Sequence, residues 1–429
     1  MTKFMTQVIK DEILEKLNLE YRYKFLNENL VPILSQDQLD FLKTIQDFCL
    51  KFEKDNNLTH GPEEDIYEWY PYFGKEGYIT RQHNFDVIGE NYNQYGLAMD
   101  FMRTLAIDFF DPQLAMSFGA TVIGINPIYE HHEQVPVRLE ALKELVTGQT
   151  PGCLLITEPE RGSDAVHQLT LCEEQSDGSF LLNGEKVYQT NAPKSKWAVA
   201  YATAEKNNGN MMAQFLINTS WKGWNCERVL IPWVPKLYLG KENLVNLRVP
   251  KEYVLGGVGK GRDHLFEGLI PERIAIALRG VAESWGALAH ATIYANMRKQ
   301  FDKEILFFQG VGFLLTDLWA KTTHLTHALL KFCESYDDKM RKYEGNLPGN
   351  ISESMVAAAS QYKYSCAKLS ERVCYQCANV MGGAGLCDNT LMYDLLNISR
   401  IQEIIGGARQ IHSFIMSRGL RRIFRNIST

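Results

Sequence analysis

The chain has 429 residues, of which 45% are hydrophobic and 22% are charged, and its formal net charge is −6. This composition is typical of a globular protein of about two or three domains and argues against disorder. The charge balance, without a long basic run, gives no reason to expect nucleic acid or an anionic membrane surface as a partner. No segment approaches the roughly 20 consecutive apolar residues of a membrane span, so we predict none.

The nine cysteines do not form an even disulfide framework and indicate a reducing compartment, so we predict a cytoplasmic protein. The N-terminal residues lack the apolar core of a signal peptide. Cys374 and Cys377 form a close pair, but neither a second pair nor a suitably spaced His follows them. We therefore interpret them as two thiols on one helix and predict no metal site.

Hydrophobic spacing divides the chain into three regions. From about 8 to 150, apolar residues recur three and four positions apart, as in the segment 41–52, which predicts helices. From about 151 to 255 the period shortens. Segments 214–217 and 244–247 are typical of strands, and 180–188 reads as a strand, a turn at Asn183-Gly184 and a second strand.

The helical period returns after the glycine-rich segment 256–261, which we interpret as a flexible connector. One buried stripe over about six turns is predicted from the four- and three-residue steps of Ile274, Leu278, Val281, Trp285, Leu288, Thr292 and Ala295. A later helical segment, 352–381, is rich in small residues that permit close helix packing.

The segment 156–164 reads I-T-E-P-E-R-G-S-D and joins a short apolar run to a turn rich in Gly, Ser and Asp. Hydroxyls and free backbone N–H groups at a strand end suit a flat polar ring or a phosphate. The residues alone predict a ligand-binding turn or a plain surface turn. The amino-acid sequence of the segment resembles the T-E-P-x-x-G-S-D motif of the acyl-CoA dehydrogenase family of flavoproteins.

The order of helices, β-rich middle and long helices is also similar to that family, from about Leu34 to Leu420. The resemblance implies a mainly α fold with a central β domain. Its parts are an N-terminal helical domain (34–150), a β-barrel-like middle domain (151–258) and a C-terminal four-helix bundle (259–429). Residues 1–33 are then a leader extension without an assigned function. Flavin sites shared between subunits imply a homodimer or a homotetramer.

Three further segments resemble flavin-binding motifs of the family. Segment 188–191 is similar to W-I-T-N with Tyr in place of Trp, 298–301 matches R-x-x-F, and 382–385 matches G-G-x-G. The resemblance implies FAD as cofactor, with the guanidinium of Arg298 suited to the pyrophosphate. The implied FAD-binding residues are Leu154, Thr157, Ser163, Tyr188, Thr190, Arg298, Phe301, Gln309, Asn379, Gly382, Gly383 and Gln410. Ser163 and Arg273 are the implied substrate-binding residues. Arg161 departs from the family pattern, and the sequence leaves three roles open for it: a phosphate, an acidic substrate group or the surface.

The family reaction needs a carboxylate base, which most members carry in I-Y-E-G-T near the C-terminus. Gly406 stands at that position, and nearby Glu403 is interpreted as a solvated or salt-bridged helix residue. Isovaleryl and long-chain members carry the base in L-x-x-E-R instead. Segment 269–273 matches that motif, where it is predicted to open the long helix, and we predict Glu272 as the base.

The resemblance thus predicts an acyl-CoA dehydrogenase, an FAD-dependent oxidoreductase of fatty acid metabolism that converts an acyl thioester to the 2-enoyl thioester. Glu272 would take the proton, flavin N5 the hydride, and an electron-transfer flavoprotein the electrons. The thioester carrier is left open between coenzyme A and a carrier protein bearing an acyl or aminoacyl group. A flavin oxidase or monooxygenase and a non-catalytic scaffold are the competing predictions.

Overall fold

The computed structural model describes residues 9–90, 95–387 and 390–428. Its α-helices are α1 (Asp11–Leu14), α2 (Leu19–Leu30), α3 (Gln36–Asn56), α4 (Tyr70–Lys75), α5 (Leu97–Phe110), α6 (Pro112–Glu130), α7 (Pro136–Val146), α8 (Gly261–Met297), α9 (Gln309–Lys342), α10 (Gly349–Met381), α11 (Met392–Gln402) and α12 (Arg409–Ser428). Its strands are β1 (Gly152–Leu155), β2 (Leu171–Glu174), β3 (Phe180–Thr190), β4 (Trp197–Thr203), β5 (Met212–Asn218), β6 (Trp224–Val229), β7 (Leu239–Val249), β8 (Val254–Leu255), β9 (Lys299–Gln300) and β10 (Lys303–Glu304).

The predicted fold class, mainly α with a central β domain, is confirmed by this order of elements. The chain forms two compact units. The described residues of the first unit fall within Met1–Pro62, Gly96–Pro112 and Arg273–Thr429, and those of the second within Glu63–Tyr95 and Gln113–Glu272. The predicted boundaries of three domains stay a prediction. None of the described helices combines the length and apolarity that crossing a bilayer requires.

The first unit is helical and is built around the part of α8 that follows Arg273. The predicted stripe is buried, except that Thr292 is only partly so, but burial continues around the helix from Ala277 to Ala291. Small residues make this possible, since a Cβ atom on Gly280 would lie 3.0 Å from the Cys366 carbonyl oxygen of α10. The helix is therefore a central one, buried on all sides, where the stripe predicted a single buried face.

The predicted leader packs into the first unit over the part that the structure describes, and residues 1–8 lie outside it. Leu26 and Leu30 of α2 are completely buried. The Tyr23 hydroxyl donates to the Ala106 carbonyl oxygen of α5 at 2.7 Å, and the buried Arg22 guanidinium donates to the Phe109 carbonyl oxygen. Residues 9–33 thus contribute core and hydrogen bonds to this unit.

The second unit carries an eight-stranded sheet in the order β6-β7-β3-β2-β4-β5-β8, with β1 parallel to β4. The strands predicted at 214–217 and 244–247 are confirmed as parts of β5 and β7. The turn predicted at Asn183-Gly184 is wrong, because β3 runs through it with a shift in register against β7. A Cβ atom on Gly184 would lie 2.5 Å from the Thr170 hydroxyl, so glycine serves here as a bulge with a close crossing.

Candidate active site

The site begins where β1 ends. The side chains of β1 alternate, so Cys153 and Leu155 enter the core of the sheet. Leu154 and Ile156 face the other way and pack in a second cluster with Leu265 of α8. The short apolar run of the sequence motif therefore has two buried faces, one toward the sheet and one toward helices of the same unit.

A pocket of about 370 Å³, a volume that includes space open to solvent, lies beside this second cluster. Residues of α6, β1, β4 and α8 line it: Ile123, Asn126, Pro127, Glu130, Leu154, Ile156, Tyr201, His264, Leu265, Gly268, Leu269 and Glu272. Two predicted site residues thus meet in one pocket, the base Glu272 and the flavin residue Leu154. The sequence did not point to Glu130, Tyr201 or His264.

The position of Glu272 in its helix differs from the prediction. Segment 269–273 does not open the helix, because α8 already begins at Gly261 and holds Pro271 in its interior. The glycines of the connector absorb the change of direction, with positive φ at Gly256 (69°) and Gly257 (91°). Glu272 is partly buried and lines the pocket, and it lies eleven residues after the start of α8.

Tyr201 supplies a neutral phenol to the pocket. Its side chain is 2% exposed, and burial raises the pKa of Tyr201, with the carboxyls of Glu130 and Glu272 adding to the effect. The amide of Gln214 donates to the Tyr201 oxygen. The Tyr201 hydrogen can therefore be donated in another direction.

Glu130 ends α6 and lines the pocket. It is exposed, but the surrounding protein removes part of its hydration and, together with Glu267, raises the pKa of Glu130 to about 7. Loss of hydration also lowers the pKa of His264. At neutral pH His264 is thus uncharged and Glu130 is partly ionised.

The turn after β1 is held by a buried ion pair. The Glu158 carboxylate accepts the backbone N–H groups of Leu169 and Thr170 at 2.7 and 2.9 Å and the Lys186 ammonium at 3.0 Å. Lys186 also donates to the Ile156 carbonyl oxygen at 3.1 Å. The Glu of the T-E-P motif is therefore a structural residue. We did not predict this role of Lys186 from the sequence, where the residue appears only as a cationic side chain within a predicted strand.

Taken alone, burial shifts the pKa values of Glu158 and Lys186 in opposite directions. Burial by itself would raise the pKa of Glu158, but Lys186 and the backbone donors outweigh it and lower that pKa. Loss of hydration lowers the pKa of Lys186 to about 8, against the attraction of Glu158. The pair stays ionised at neutral pH and fixes the turn that carries Thr157.

Tyr188 is the main observation that fits a flat ring ligand. The Thr157 carbonyl oxygen accepts the Val187 N–H at 3.0 Å and the Gln189 amide at 2.9 Å, on either side of Tyr188. Between them Tyr188 adopts a left-handed conformation (φ 68°) and its side chain is 59% exposed. A bulky residue in this strained conformation, with its ring outside the core, is typical of a functional position. Thr190, two residues on, is partly buried at the end of β3.

Asn191, which follows Thr190, has a structural role. It is completely buried with φ 74°, and its amide donates to the carbonyl oxygens of Ser117 at 2.8 Å and Gly152 at 3.1 Å. The Tyr67 hydroxyl donates to its oxygen at 3.0 Å. Asn191 thus ties the end of β3 to the start of β1.

The remaining predicted residues of the second unit lie in the turn itself. Ser163 is exposed. Arg161 donates to the carbonyl oxygen of His167 at 3.2 Å and to Asn207 Oδ1 at 3.0 Å. These hydrogen bonds join Arg161 to neighbouring loops, and the three roles predicted for it stay open.

The other predicted FAD residues belong to the first unit, and their side chains are exposed. Arg298 precedes the β9–β10 hairpin, where Phe301 is 88% exposed at the tip. Gln309 begins α9, Asn379 is in the last turn of α10, and Gln410 is the second residue of α12. A Cβ atom on Gly382 or Gly383 would meet nothing within 4 Å, so this backbone is open to a ligand.

The alternative base positions are also in the first unit. Gly406 and Gly407 form a turn between α11 and α12 with φ 60° and 101°, conformations that favour glycine. Glu403 is 7% exposed and pairs with Arg409 at 2.6 Å. It is thus salt-bridged, as one of the two interpretations predicted, and the solvated one is wrong. Arg273, the implied substrate residue, is buried.

Cys374 and Cys377 are buried thiols on α10, as predicted. The described residues contain no group of three or more His, Cys, Asp or Glu side chains that could hold a metal ion.

The strand-end turn, the strained aromatic and the carboxyl-bearing pocket all belong to the second unit. Two family models match the chain: "Acyl-CoA dehydrogenase, C-terminal domain" over residues 259–421, and "Acyl-CoA dehydrogenase, middle domain" over residues 153–232. Together they span more than half of the sequence. The chain belongs to the acyl-CoA dehydrogenase family.

Individual relatives are similar at a lower level. Isovaleryl-CoA dehydrogenase of Solanum tuberosum is 25% identical over 400 residues, 89% of this chain and 90% of the relative. The caffeyl-CoA reductase-Etf complex subunit CarC of Acetobacterium woodii is 26% identical over 282 residues, 64% of this chain and 70% of the relative. The structure of butyryl-CoA dehydrogenase from Megasphaera elsdenii has a TM-score of 0.79 and 23% identity, covering 90% of this chain and 98% of that one.

Proposed function

We propose that the chain is an FAD-dependent dehydrogenase of acyl thioesters with Glu272 as the catalytic base. The observation that carries this proposal is the pocket in which Glu272 lies with Leu154 and Ile156, next to the turn of the T-E-P motif. Membership of the acyl-CoA dehydrogenase family supports an oxidoreductase acting on acyl-CoA. It also makes FAD the cofactor.

Glu272, Tyr201 and the cofactor have separate roles in the proposed reaction. The Glu272 carboxylate, which lines the pocket, takes the proton from the carbon next to the thioester carbonyl and so acts as the general base. Tyr201 keeps its proton and offers it as a hydrogen-bond donor in the same pocket. When bound, FAD supplies the acceptor for the hydride that leaves the neighbouring carbon.

The residues present fit the cofactor. The open backbone at Gly382 and Gly383 and the exposed guanidinium of Arg298 suit a dinucleotide, and the outward ring of Tyr188 suits a flavin face. Thr157, Ser163 and Thr190 complete the proposed set in the second unit, and Phe301, Gln309, Asn379 and Gln410 do so in the first. A homodimer or homotetramer that shares its flavin sites belongs to the same proposal, as does a cytoplasmic location.

An electron-transfer flavoprotein is the proposed acceptor of the electrons, which the name of the Acetobacterium woodii relative, a subunit of an Etf complex, supports. The test is an anaerobic titration of the flavin-loaded protein with acyl-CoAs from short branched to long straight chains, following the flavin absorbance. Bleaching by one class identifies the reaction and the substrate together. A bound flavin that none of them bleaches, in CoA or carrier-protein form, contradicts the proposal.

A further inference from the structure

The pocket that holds Glu272 is more polar than a hydrocarbon chain requires. Asn126, Glu130, Tyr201 and His264 line it in addition to Glu272. Asn126 and Tyr201 are already buried, but an alkyl chain would remove the exposed Glu130 and the partly buried His264 from water without replacing their hydrogen bonds, which costs free energy. A substrate that carries a polar group of its own would compensate for that loss.

The charge of the pocket is also one-sided. Its described lining residues include two carboxylic acids and neither Lys nor Arg. The neighbouring His131 lies with its ring centre 4.4 Å from that of His264. Burial lowers the pKa of His131 to about 4, and the pKa of His264 is lowered as well, so neither imidazole carries a positive charge at neutral pH. The lining therefore favours a cation over an anion.

We propose that Glu130 recognises a positively charged group on the acyl chain, so that the substrate is the thioester of a cationic acyl group, such as an aminoacyl group. This inference rests on the function proposed above and narrows its substrate class. Leu154 and Ile156 supply an apolar wall for the carbon atoms that react near Glu272. Because Glu130 is exposed, the cation that it accepts keeps some of its own water.

Two thioesters of the same shape test the charge alone. The pantetheine thioester of 4-(trimethylammonio)butyrate differs from that of 5,5-dimethylhexanoate in having N⁺ where the other has carbon. Pantetheine is the arm that coenzyme A and carrier proteins share. With the FAD-loaded enzyme under anaerobic conditions, we expect kcat/KM for flavin reduction to be about fivefold higher for the cation, the ratio that one partly exposed ion pair supplies.

Glu130→Gln should reduce this ratio to about one. Glu267→Gln is the matched control, since Glu267 is an exposed carboxylate close to Glu130 that does not line the pocket. It should preserve the ratio or increase it, because loss of the Glu267 charge leaves Glu130 more fully ionised. A preference for the uncharged thioester, or a cation preference that survives in Glu130→Gln, would overturn the inference.

Binding to the FAD-loaded Glu272→Gln variant, measured from the perturbation of the flavin absorbance, separates this inference from the proposed function. Tighter binding of the cationic thioester supports the role of Glu130 even if wild-type enzyme reduces no flavin, in which case the dehydrogenase proposal alone fails. Equal binding of the two thioesters overturns the role of Glu130, while flavin reduction by both would leave the dehydrogenase proposal standing.

Discussion

The Lys186 ammonium lies 3.0 Å from the Glu158 carboxylate, and the two side chains are 0% and 2% exposed. Glu158 belongs to the T-E-P motif, and Lys186 comes from the neighbouring part of β3. The pair fixes the turn after β1 from inside the second unit. The conformation of the turn at the end of β1 therefore depends on an ion pair that is buried away from the surface.

Lys186→Met should destabilise the protein by about 3 kcal/mol, because it leaves the Glu158 carboxylate buried without its cation. Urea unfolding of the flavin-free protein measures the change. Lys194→Met is the control, since Lys194 pairs with Asp65 at 2.7 Å with both side chains about one-third exposed. It should cost less than about 1 kcal/mol. Equal losses in the two variants would contradict the structural role of Lys186.

Glu242 should contribute a loss of stability as the pH rises from about 4.5 to about 8. Burial raises the pKa of Glu242 to about 8, whereas the unfolded chain has a value of about 4.3. The folded state thus binds the extra proton, and its advantage is present at low pH and is lost as the pH rises through the folded value. The free energy of unfolding of Glu242→Gln, taken relative to wild type at each pH, should therefore increase as the pH rises through this window. A difference that does not change with pH would mean that Glu242 is ionised in the folded protein.

Tyr188→Asn should stabilise the flavin-free protein by about 1 kcal/mol, because Asn adopts the left-handed conformation more readily than Tyr. The same variant should retain less FAD after dialysis, since it lacks the ring proposed to lie on the flavin. Thermal unfolding and flavin absorbance provide the two measurements. Tyr188→Val introduces a β-branched residue and should be less stable than both wild type and Tyr188→Asn. A valine variant as stable as wild type would contradict the proposed strain at this position.

Glu272→Gln should bind FAD as wild type does and lose about 10²- to 10⁴-fold in the rate of flavin reduction by substrate, the contribution of a general base. Stopped-flow reduction under anaerobic conditions gives the rate. Glu403→Gln is the comparison, because Glu403 is engaged by Arg409. Reduction of Glu272→Gln at the wild-type rate would remove Glu272 as the base.

Arg298→Ala should lower FAD occupancy after dialysis and leave the reduction rate of the remaining holoenzyme close to wild type, since a guanidinium on the pyrophosphate stabilises binding. Lys299→Ala, at the exposed neighbouring position, is the control and should retain the flavin. Unchanged occupancy in Arg298→Ala would count against its phosphate role.

Local pattern predicted several features because it depends on neighbours in sequence. The period of apolar residues identified α3, α8 and α10, and alternating β-forming residues identified β5 and β7. The same kind of signal was wrong at Asn183-Gly184, because that dipeptide suits a bulge as well as a turn. It was also wrong for the start of α8, where Pro271 is tolerated inside a helix that begins at Gly261.

By itself, the sequence determined the fold class, the family and the short list of candidate site residues, because motifs and hydrophobic periods are written along the chain. Which side chains share the pocket with Glu272, and which charges are buried away from water, became clear from the three-dimensional fold. Glu130, Tyr201 and His264 come from α6, β4 and α8, and Lys186 reaches Glu158 from another strand. The fold brings these side chains together, and segments that are distant in sequence remove water from them and so change their pKa values. No local sequence pattern encodes either effect.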